Sequence, residues 1–275
     1  MADGSRRRNT ALIVVLIVIG VLMLCCCSLA AAGALLYPWI GEERGAAGVA
    51  DMPSGGGVEA TREVDRAFRV QGEVVLDVSN QVGDVTIEGA DDGQVVVEAL
   101  VQAYGATTAD AERAADEVEV TVEQRGDNRI RVVGRYRQGL EFRGRLPSVR
   151  FLIRVPRQTS VVAVCRVGRV DVADIEGSAN ISSDVGDVIV REFTMRGDTR
   201  IEVGVGRILV ELPSDAAFVL DAQTNIGDID TEFDVRGASP ERVPPGHRMQ
   251  GEVGDDPQVK LVLRTNTGDI TIAAD

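Results

Sequence analysis

Six glycines, each followed by a charged residue, form the pattern in this sequence that most resembles a ligand site. The glycines are Gly83, Gly168, Gly186, Gly206, Gly227 and Gly268, and the residues after them are Asp84, Arg169, Asp187, Arg207, Asp228 and Asp269. Glycine-and-aspartate repeats bind calcium in nonapeptide β-helices. The pattern is therefore consistent with either a ladder of calcium sites or a set of structural turns.

Spacing and charge both argue against calcium. Successive glycines from Gly168 to Gly227 are 18, 20 and 21 residues apart, whereas the calcium-binding repeat has a period of about nine. The residue after the glycine alternates in sign over the same stretch, so a guanidinium about 4.8 Å from each carboxylate would take the place of a cation. Opposite charges on neighbouring strands instead favour one register by about 0.2–1 kcal/mol per pair. We therefore predict structural turns, no metal site and no cofactor. Asp228 and Asp269 should meet as like charges at one end, which makes that end the one candidate for a weak cation site.

The residues around each glycine alternate between apolar and polar types. Two positions after it lie Val85, Val170, Val188, Ile208, Ile229 and Ile270, and five positions before it lie Val78, Ala163, Ile181, Ile201, Ala222 and Leu263. This alternation predicts two short strands that each bury one face, joined by a glycine with positive φ. One such coil cannot bury its inner face by itself, but stacked coils can. We therefore predict an all-β fold with a parallel β-solenoid over residues 160–275, the alternative being a β-sandwich of hairpins.

Residues 67–158 have a less regular pattern, and we expect them to cap the first coil because an open solenoid end needs an atypical unit. They contain several strand-like segments and one short helical segment, TTADAERAADEV, with Thr108 as its N-cap. The proline-containing segment 234–258 lacks alternation, which predicts a loop extruded between coils with His247 in solvent. Cys165 lies where other repeats place a small inward side chain, so we predict a buried packing role.

The amino-terminal region predicts a membrane anchor over residues 11–40. Residues 11–36 carry no charge, and this run is long enough to span a bilayer core of about 30 Å. The arginines of residues 6–8 precede it, so the positive-inside rule places residues 1–10 in the cytoplasm and the remainder of the chain outside.

Residues 41–66 are rich in Gly, Ala and charge, which predicts a flexible linker to an extracytoplasmic domain at residues 67–275. Two alternatives to a retained anchor are open. One is cleavage as a signal peptide near Ala30 and Ala32, and the other is lipidation at Cys25.

Composition argues against several functions. The chain has 43 acidic and 29 basic residues and a net charge of −14, so phosphate backbones would be repelled and we expect no nucleic-acid partner. The single histidine, His247, cannot form a multi-histidine metal site and argues against most Ser-His chemistry. We therefore predict no catalytic residues and no enzymatic activity.

The segment VRFLIRVP, followed by VDVADIEG, VGDVIV and TGDITI, resembles the bacterial putative-adhesin domain family of unknown function, which is akin to auto-transporter adhesin head domains. The similarity covers residues 67–275. It implies a β-solenoid that is often membrane-tethered and extracytoplasmic, and it brings no known catalytic residues. Arg169 and Arg207 depart from the aspartate that usually follows the glycine in that family.

Together these features predict a membrane-anchored, extracytoplasmic adhesin-like scaffold or binding module for an envelope protein or polysaccharide. An envelope-associated regulatory or stress-response partner is one alternative, since the anchor could pair with another membrane helix. A carbohydrate-active β-solenoid enzyme is another, because carboxylates are abundant, although no pair with acid–base geometry can be recognised in the sequence.

Overall fold

The computed structural model describes residues 57–126, 128–137, 146–237, 241–243 and 246–275. Within these ranges the chain forms β1 (Val58–Arg69), β2 (Val74–Val82), β3 (Val85–Ala90), β4 (Gln94–Gly105), α1 (Thr108–Asp116), β5 (Val118–Arg125), β6 (Arg129–Tyr136), β7 (Ser148–Pro156), β8 (Thr159–Val167), β9 (Val170–Gly177), β10 (Ala179–Val185), β11 (Val188–Met195), β12 (Thr199–Val205), β13 (Ile208–Leu212), β14 (Phe218–Ile226), β15 (Ile229–Thr231), β16 (Glu241–Val243), β17 (Gly246–Val253), β18 (Lys260–Thr267) and β19 (Ile270–Ala274). None of the helical structure in these ranges is long and apolar enough to cross a membrane.

The strands form two sheets. The first has the order β1-β4-β7-β3-β9-β11-β13-β19-β15, and the second has the order β16-β17-β14-β18-β12-β10-β8-β2-β6-β5. Pairing is parallel through the middle of both sheets and, in the first sheet, as far as its last strand, β15. It is antiparallel at the other end of the first sheet, where β1 pairs with β4, and at both ends of the second sheet, where β17 pairs with β14 and β5 pairs with β6. Each central coil consists of one strand of the second sheet, a glycine turn and one strand of the first sheet.

Six coils stack in the spatial order β2–β3, β8–β9, β10–β11, β12–β13, β18–β19 and β14–β15. Neighbouring coils pair in parallel, with Val188 opposite Ile208 for example. This pairing excludes the β-sandwich of sequential hairpins and confirms an all-β, solenoid-like fold. The stack begins earlier than predicted, because residues 74–90 form its first coil rather than part of a cap.

The two last coils are stacked in the opposite order to the sequence, which the prediction did not include. Strands β18 and β19 insert between the β12–β13 coil and the β14–β15 coil. The extruded loop predicted at 234–258 is also wrong in part, because β16 and β17 lie within it. Since β17 occupies the outer edge of β14, only the inner edge of β14 is left for β18.

The inward positions of the repeat form the core. All the residues five positions before a glycine are buried, and so are those two positions after it, except Ile229 in the end coil, which is half-buried. Phe151, Phe193 and Phe218 fill the space between the sheets and are fully buried. Because burial of a Val, Ile or Phe side chain contributes about 1.5–3 kcal/mol, this interior supplies most of the stabilisation.

The amino-terminal side of the domain differs from prediction in two places. Strand β1 covers Val58–Arg69, so the part of the predicted 41–66 linker from Val58 onward is wrong. Charged residues obscure the strand in the sequence, yet it pairs with β4 over its whole length. The N-cap of α1 is Thr107 rather than Thr108, because Thr107 is extended and its Oγ1 accepts a hydrogen bond from the N–H of Asp110. The predicted cytoplasmic segment 1–10, anchor 11–40 and linker residues 41–56 lie outside the described residues.

Candidate functional site

The glycine turns lie along one edge of the solenoid. All six glycines have positive φ, between 117° and 147°. A Cβ on Gly186 would lie 2.0 Å from the carbonyl oxygen of Gly168, and a Cβ on Gly206 would lie 2.2 Å from that of Gly186. Glycine is thus required both by the turn and by the close approach of adjacent coils, and only the first requirement follows from the sequence pattern.

A column of small side chains three positions before each glycine supports these turns from inside. Its members, Asn80, Cys165, Ser183, Val203, Thr224 and Thr265, are all buried. Thr224 Oγ1 donates to the carbonyl of Gly268 at 2.9 Å, and Thr265 Oγ1 donates to that of Gly206 at 3.2 Å. Cys165 is buried as predicted, and burial, together with nearby carboxylates, raises the pKa of its thiol to about 11. Asn80, Thr224 and Thr265 therefore satisfy turn carbonyls that would otherwise be buried without a partner, whereas Val203 only packs and the Ser183 hydroxyl has no partner among the described residues.

The charged column after the glycines makes backbone contacts between coils. Three carboxylates accept N–H groups from the next coil: Asp84 Oδ1 from Arg169 at 3.0 Å, Asp187 Oδ1 from Arg207 at 2.9 Å, and Asp269 Oδ1 from Asp228 at 3.0 Å. These contacts join the coils in pairs, so the carboxylates stabilise the stacking of the coils.

Asp187 and Arg207 also form a side-chain ion pair, at 3.0 Å. The backbone N–H of Arg207 and, against the effect of burial, its guanidinium lower the pKa of Asp187. The predicted succession of charges needs one correction: Arg207 stacks between Asp187 and Asp269, and not next to Asp228, because the last coil is inserted.

Asp228 and Asp269 lie in adjacent coils at the end of the ladder, where a weak cation site was expected. His247 is not simply solvated as predicted, because its Nδ1 lies 3.1 Å from Oδ1 of Asp228. Among the described residues, no group of three or more His, Cys, Asp or Glu side chains is arranged to hold a metal ion.

A basic centre on the outer face of the second sheet was not predicted from the sequence. Asp221 points outward from β14 but is only 7% exposed, because long side chains of β17 and β18 cover it. Arg264 Nη2 lies 2.6 Å from Oδ2 of Asp221, Arg248 Nη2 lies 3.4 Å from Oδ1, and Lys260 Nζ lies 3.8 Å from Oδ2. Gln250 Nε2 donates to Oδ1 at 2.9 Å.

The electrostatics of this centre leave positive charge in excess. Burial opposes ionisation of Asp221, but hydrogen bonds from Arg264 and Gln250 and the charges of Arg264 and Arg248 lower its pKa. Three cations lie within 4.0 Å of this one carboxylate, while Glu202, opposite Arg264 on β12, pairs with Arg200. Arg248 and Lys260 are held only at the longer distances and have side chains 36% and 47% exposed, so they can donate to a further anion.

Sequence reasoning missed the centre because its members come from three strands and have no common spacing. Strand pairing brings them together, with Asp221 opposite Val262 on one side and Gln250 on the other. The one feature of the sequence that could have pointed to this centre is Lys260, which is the sole lysine of the chain.

Comparison with solved structures found proteins that are similar to this chain. A structure from Clostridium sporogenes, named a putative cell adhesion protein, is similar with a TM-score of 0.59 at 14% identity, over 78% of this chain and 100% of that chain. A structure named a putative adhesin, from Bacteroides fragilis, is 11% identical over 77% of this chain and 97% of that chain, with a TM-score of 0.32. None of the curated proteins compared with the chain matches it.

The likeness to the Clostridium sporogenes structure concerns the fold, since the identity is low. The model of the Toastrack DUF4097 family matches residues 158–273, which include the coils from β8 to β19. The resemblance to an adhesin domain family of unknown function is thereby confirmed. Residues 158–273 of this chain are thus similar to the Toastrack DUF4097 family.

Proposed function

We propose that this protein is a membrane-anchored, extracytoplasmic adhesin-like module that binds an anionic group of an envelope ligand at the Asp221 centre, and that it has no catalytic activity. The observation that carries the proposal is the excess of three cations, Arg248, Lys260 and Arg264, around one carboxylate. Arginine and lysine nitrogens at a partly desolvated site are the donors that carboxylate and phosphate groups require.

The charge of the whole chain restricts the kind of ligand. At −14 the protein repels a long polyanion, but the Debye length of about 8 Å at physiological salt confines this repulsion to nearby charges. A ligand with one isolated anionic group avoids most of the repulsion. We therefore propose a glycan that presents a single carboxylate or phosphate to Arg248 and Lys260.

The location outside the membrane rests on the amino-terminal sequence. The uncharged run within residues 11–40 and the preceding arginines support an anchor with the Toastrack domain outside. Protease added to right-side-out spheroplasts should then remove the domain and leave a short membrane fragment. Complete protection of the domain would contradict this part of the proposal.

Ligand chemistry can be tested by titration calorimetry on the full chain in detergent. We expect glucuronate or glucose 6-phosphate to bind and neutral glucose not to bind, and the stronger of the two acids identifies the carboxylate or the phosphate as the preferred group. A hydrogen bond to a charged group contributes about 1.5–3 kcal/mol, so Lys260→Gln or Arg248→Gln should weaken binding by about tenfold or more.

Arg135→Gln is the matched control, because Arg135 is an exposed arginine that pairs with Glu119 on β5, away from the centre. It should bind the acids as the wild type does. Asp221→Asn should lose stability, and the bound acid should raise its melting temperature more than that of the wild type, since the ligand replaces the missing carboxylate. Equal affinities of Lys260→Gln and wild type would reduce the centre to a structural ion network.

A further inference from the structure

The turn edge of the solenoid exposes a column of aliphatic residues immediately before the glycines. Val82, Val167, Val185 and Val205 pair in register on consecutive coils. The last three are 46%, 46% and 51% exposed. Because these side chains are half exposed, they contribute little to the stability of the fold. A contiguous exposed apolar column of this kind is typical of a surface that binds a partner.

Charged residues flank this column on both sides in the two central coils. The coil of Gly168 carries Arg166 on one side of the valine and Arg169 on the other, and the coil of Gly186 carries Asp184 and Asp187 at the same two positions. A basic coil is thus adjacent to an acidic coil. No ion pair within 4.0 Å engages Arg166, Arg169 or Asp184 among the residues that the structure describes.

This arrangement is self-complementary about one two-fold axis. This axis lies in the contact plane, runs perpendicular to the valine column and passes between the coils of Gly168 and Gly186. Rotation about it places Val167 opposite Val185 of the second copy. The same operation places Arg166 opposite Asp184 and Arg169 opposite Asp187. In the next coils outward, Asp84 faces Arg207, so every charged position of these four coils meets the opposite sign.

The other two-fold arrangement is disfavoured by the same charges. A two-fold axis that runs along the column would make the two copies parallel. Each coil would then face the same coil of the second copy, with the residue before the valine opposite the charged residue after the glycine. Arg166 would then face Arg169, and Asp184 would face Asp187, which puts like charges together. The charge pattern therefore selects the antiparallel arrangement.

We infer that the turn edge binds a second copy of this chain in antiparallel orientation, through the valine column and the flanking ion pairs. Four coils at about 4.8 Å spacing give a short contact, below the size of a standard interface, so each single contact is weak. Many tethered copies raise the effective concentration and strengthen the association. This contact is separate from the Asp221 centre and does not depend on a ligand there.

Disulfide cross-linking of the full chain in detergent tests the orientation. In a background with serine at positions 25–27, a mixture of Val167→Cys and Val185→Cys chains should form cross-linked dimers several-fold more efficiently than either chain by itself, because Val167 faces Val185 and not its own equivalent. Val162→Cys, on the outer face of β8, is the exposed control and should show only collisional cross-linking.

Charge exchange tests the flanking pairs with the same readout. Arg166→Asp placed in the Val167→Cys chain should lower the cross-linking yield several-fold, and Asp184→Arg in the Val185→Cys chain should restore it. Arg196→Asp, which lies away from the turn edge and pairs with Glu176, should have no effect. A mixture that cross-links no better than the Val162→Cys control, or a Val167→Cys chain that cross-links equally well by itself, overturns the proposal.

Discussion

Replacement of Gly186 by alanine tests whether the glycine ladder is required by the turn alone or also by the approach of adjacent coils. Gly186 has φ 141°, and a Cβ there would lie 2.0 Å from the carbonyl oxygen of Gly168. Gly72 is the matched control, because it has φ 79° but no atom within 4 Å of the added Cβ. Both substitutions place an alanine at positive φ, and only the one at Gly186 brings its Cβ against a neighbouring atom.

The expected loss of stability is larger at Gly186 than at Gly72. An alanine at positive φ costs about 1–2 kcal/mol, which is the whole expected loss at Gly72. At Gly186 the neighbouring coil must also move, and overpacking adds about 1–3 kcal/mol or more. In a domain of this size each kcal/mol lowers the melting temperature by about 2–4 °C, so we expect a loss of about 2–8 °C for Gly72→Ala and of about 4–20 °C for Gly186→Ala.

Melting of the full chain, followed by circular dichroism in detergent, measures both variants. Equal losses for Gly72→Ala and Gly186→Ala would refute the close-approach argument, because the backbone cost would then explain both. A smaller loss for Gly186→Ala than for Gly72→Ala would show that the stacking of Gly186 on Gly168 is wrong.

Further predictions concern the core, the buried carboxylate, the thiol and calcium. Val188→Asp should cost several kcal/mol because it buries an unpaired carboxylate, whereas Thr271→Asp on the outer face should change stability by about 0.5 kcal/mol or less; equal melting shifts would contradict the facing assignment. Because the pKa of Asp221 is lowered in the folded state, its stabilisation is complete above the usual carboxyl pKa and is lost as the pH falls through the folded pKa, so acid melting should be less steep for Asp221→Asn. The Cys165 thiol, with its pKa raised to about 11, should react with an alkylating agent at pH 8 only after unfolding, in a chain with serine at the other cysteine positions. Millimolar calcium should leave the melting temperature unchanged relative to EDTA, and a rise of about ten degrees would favour a calcium ladder.

The coil architecture could be predicted because each coil repeats a local rule. Apolar residues five before and two after the glycine fix which face of each strand is buried, and the structure buries nearly all of them. The position of Cys165 within the repeat likewise predicted its burial, since its neighbours in the column are small side chains.

What could not be predicted depends on long-range pairing. The coils of Gly227 and Gly268 have the same local pattern, so the sequence does not reveal that the second is inserted before the first. That order follows from β17 pairing with the outer edge of β14. The Asp221 centre was missed for the same reason, because the order of the strands, and not their spacing in sequence, brings Arg248 and Arg264 to one carboxylate.

The two arginines after a glycine have a structural explanation in the pairing of coils. The column divides into residues whose carboxylate accepts an N–H and residues that only supply the N–H: Asp84, Asp187 and Asp269 in the first class, and Arg169, Arg207 and Asp228 in the second. Any residue type other than proline can supply a backbone N–H, so the side chains of the second class are free to take other roles. Arg207 forms an ion pair with Asp187, and Asp228 lies against His247. Arg169 has neither contact and is exposed, which leaves its guanidinium available to a partner at the turn edge.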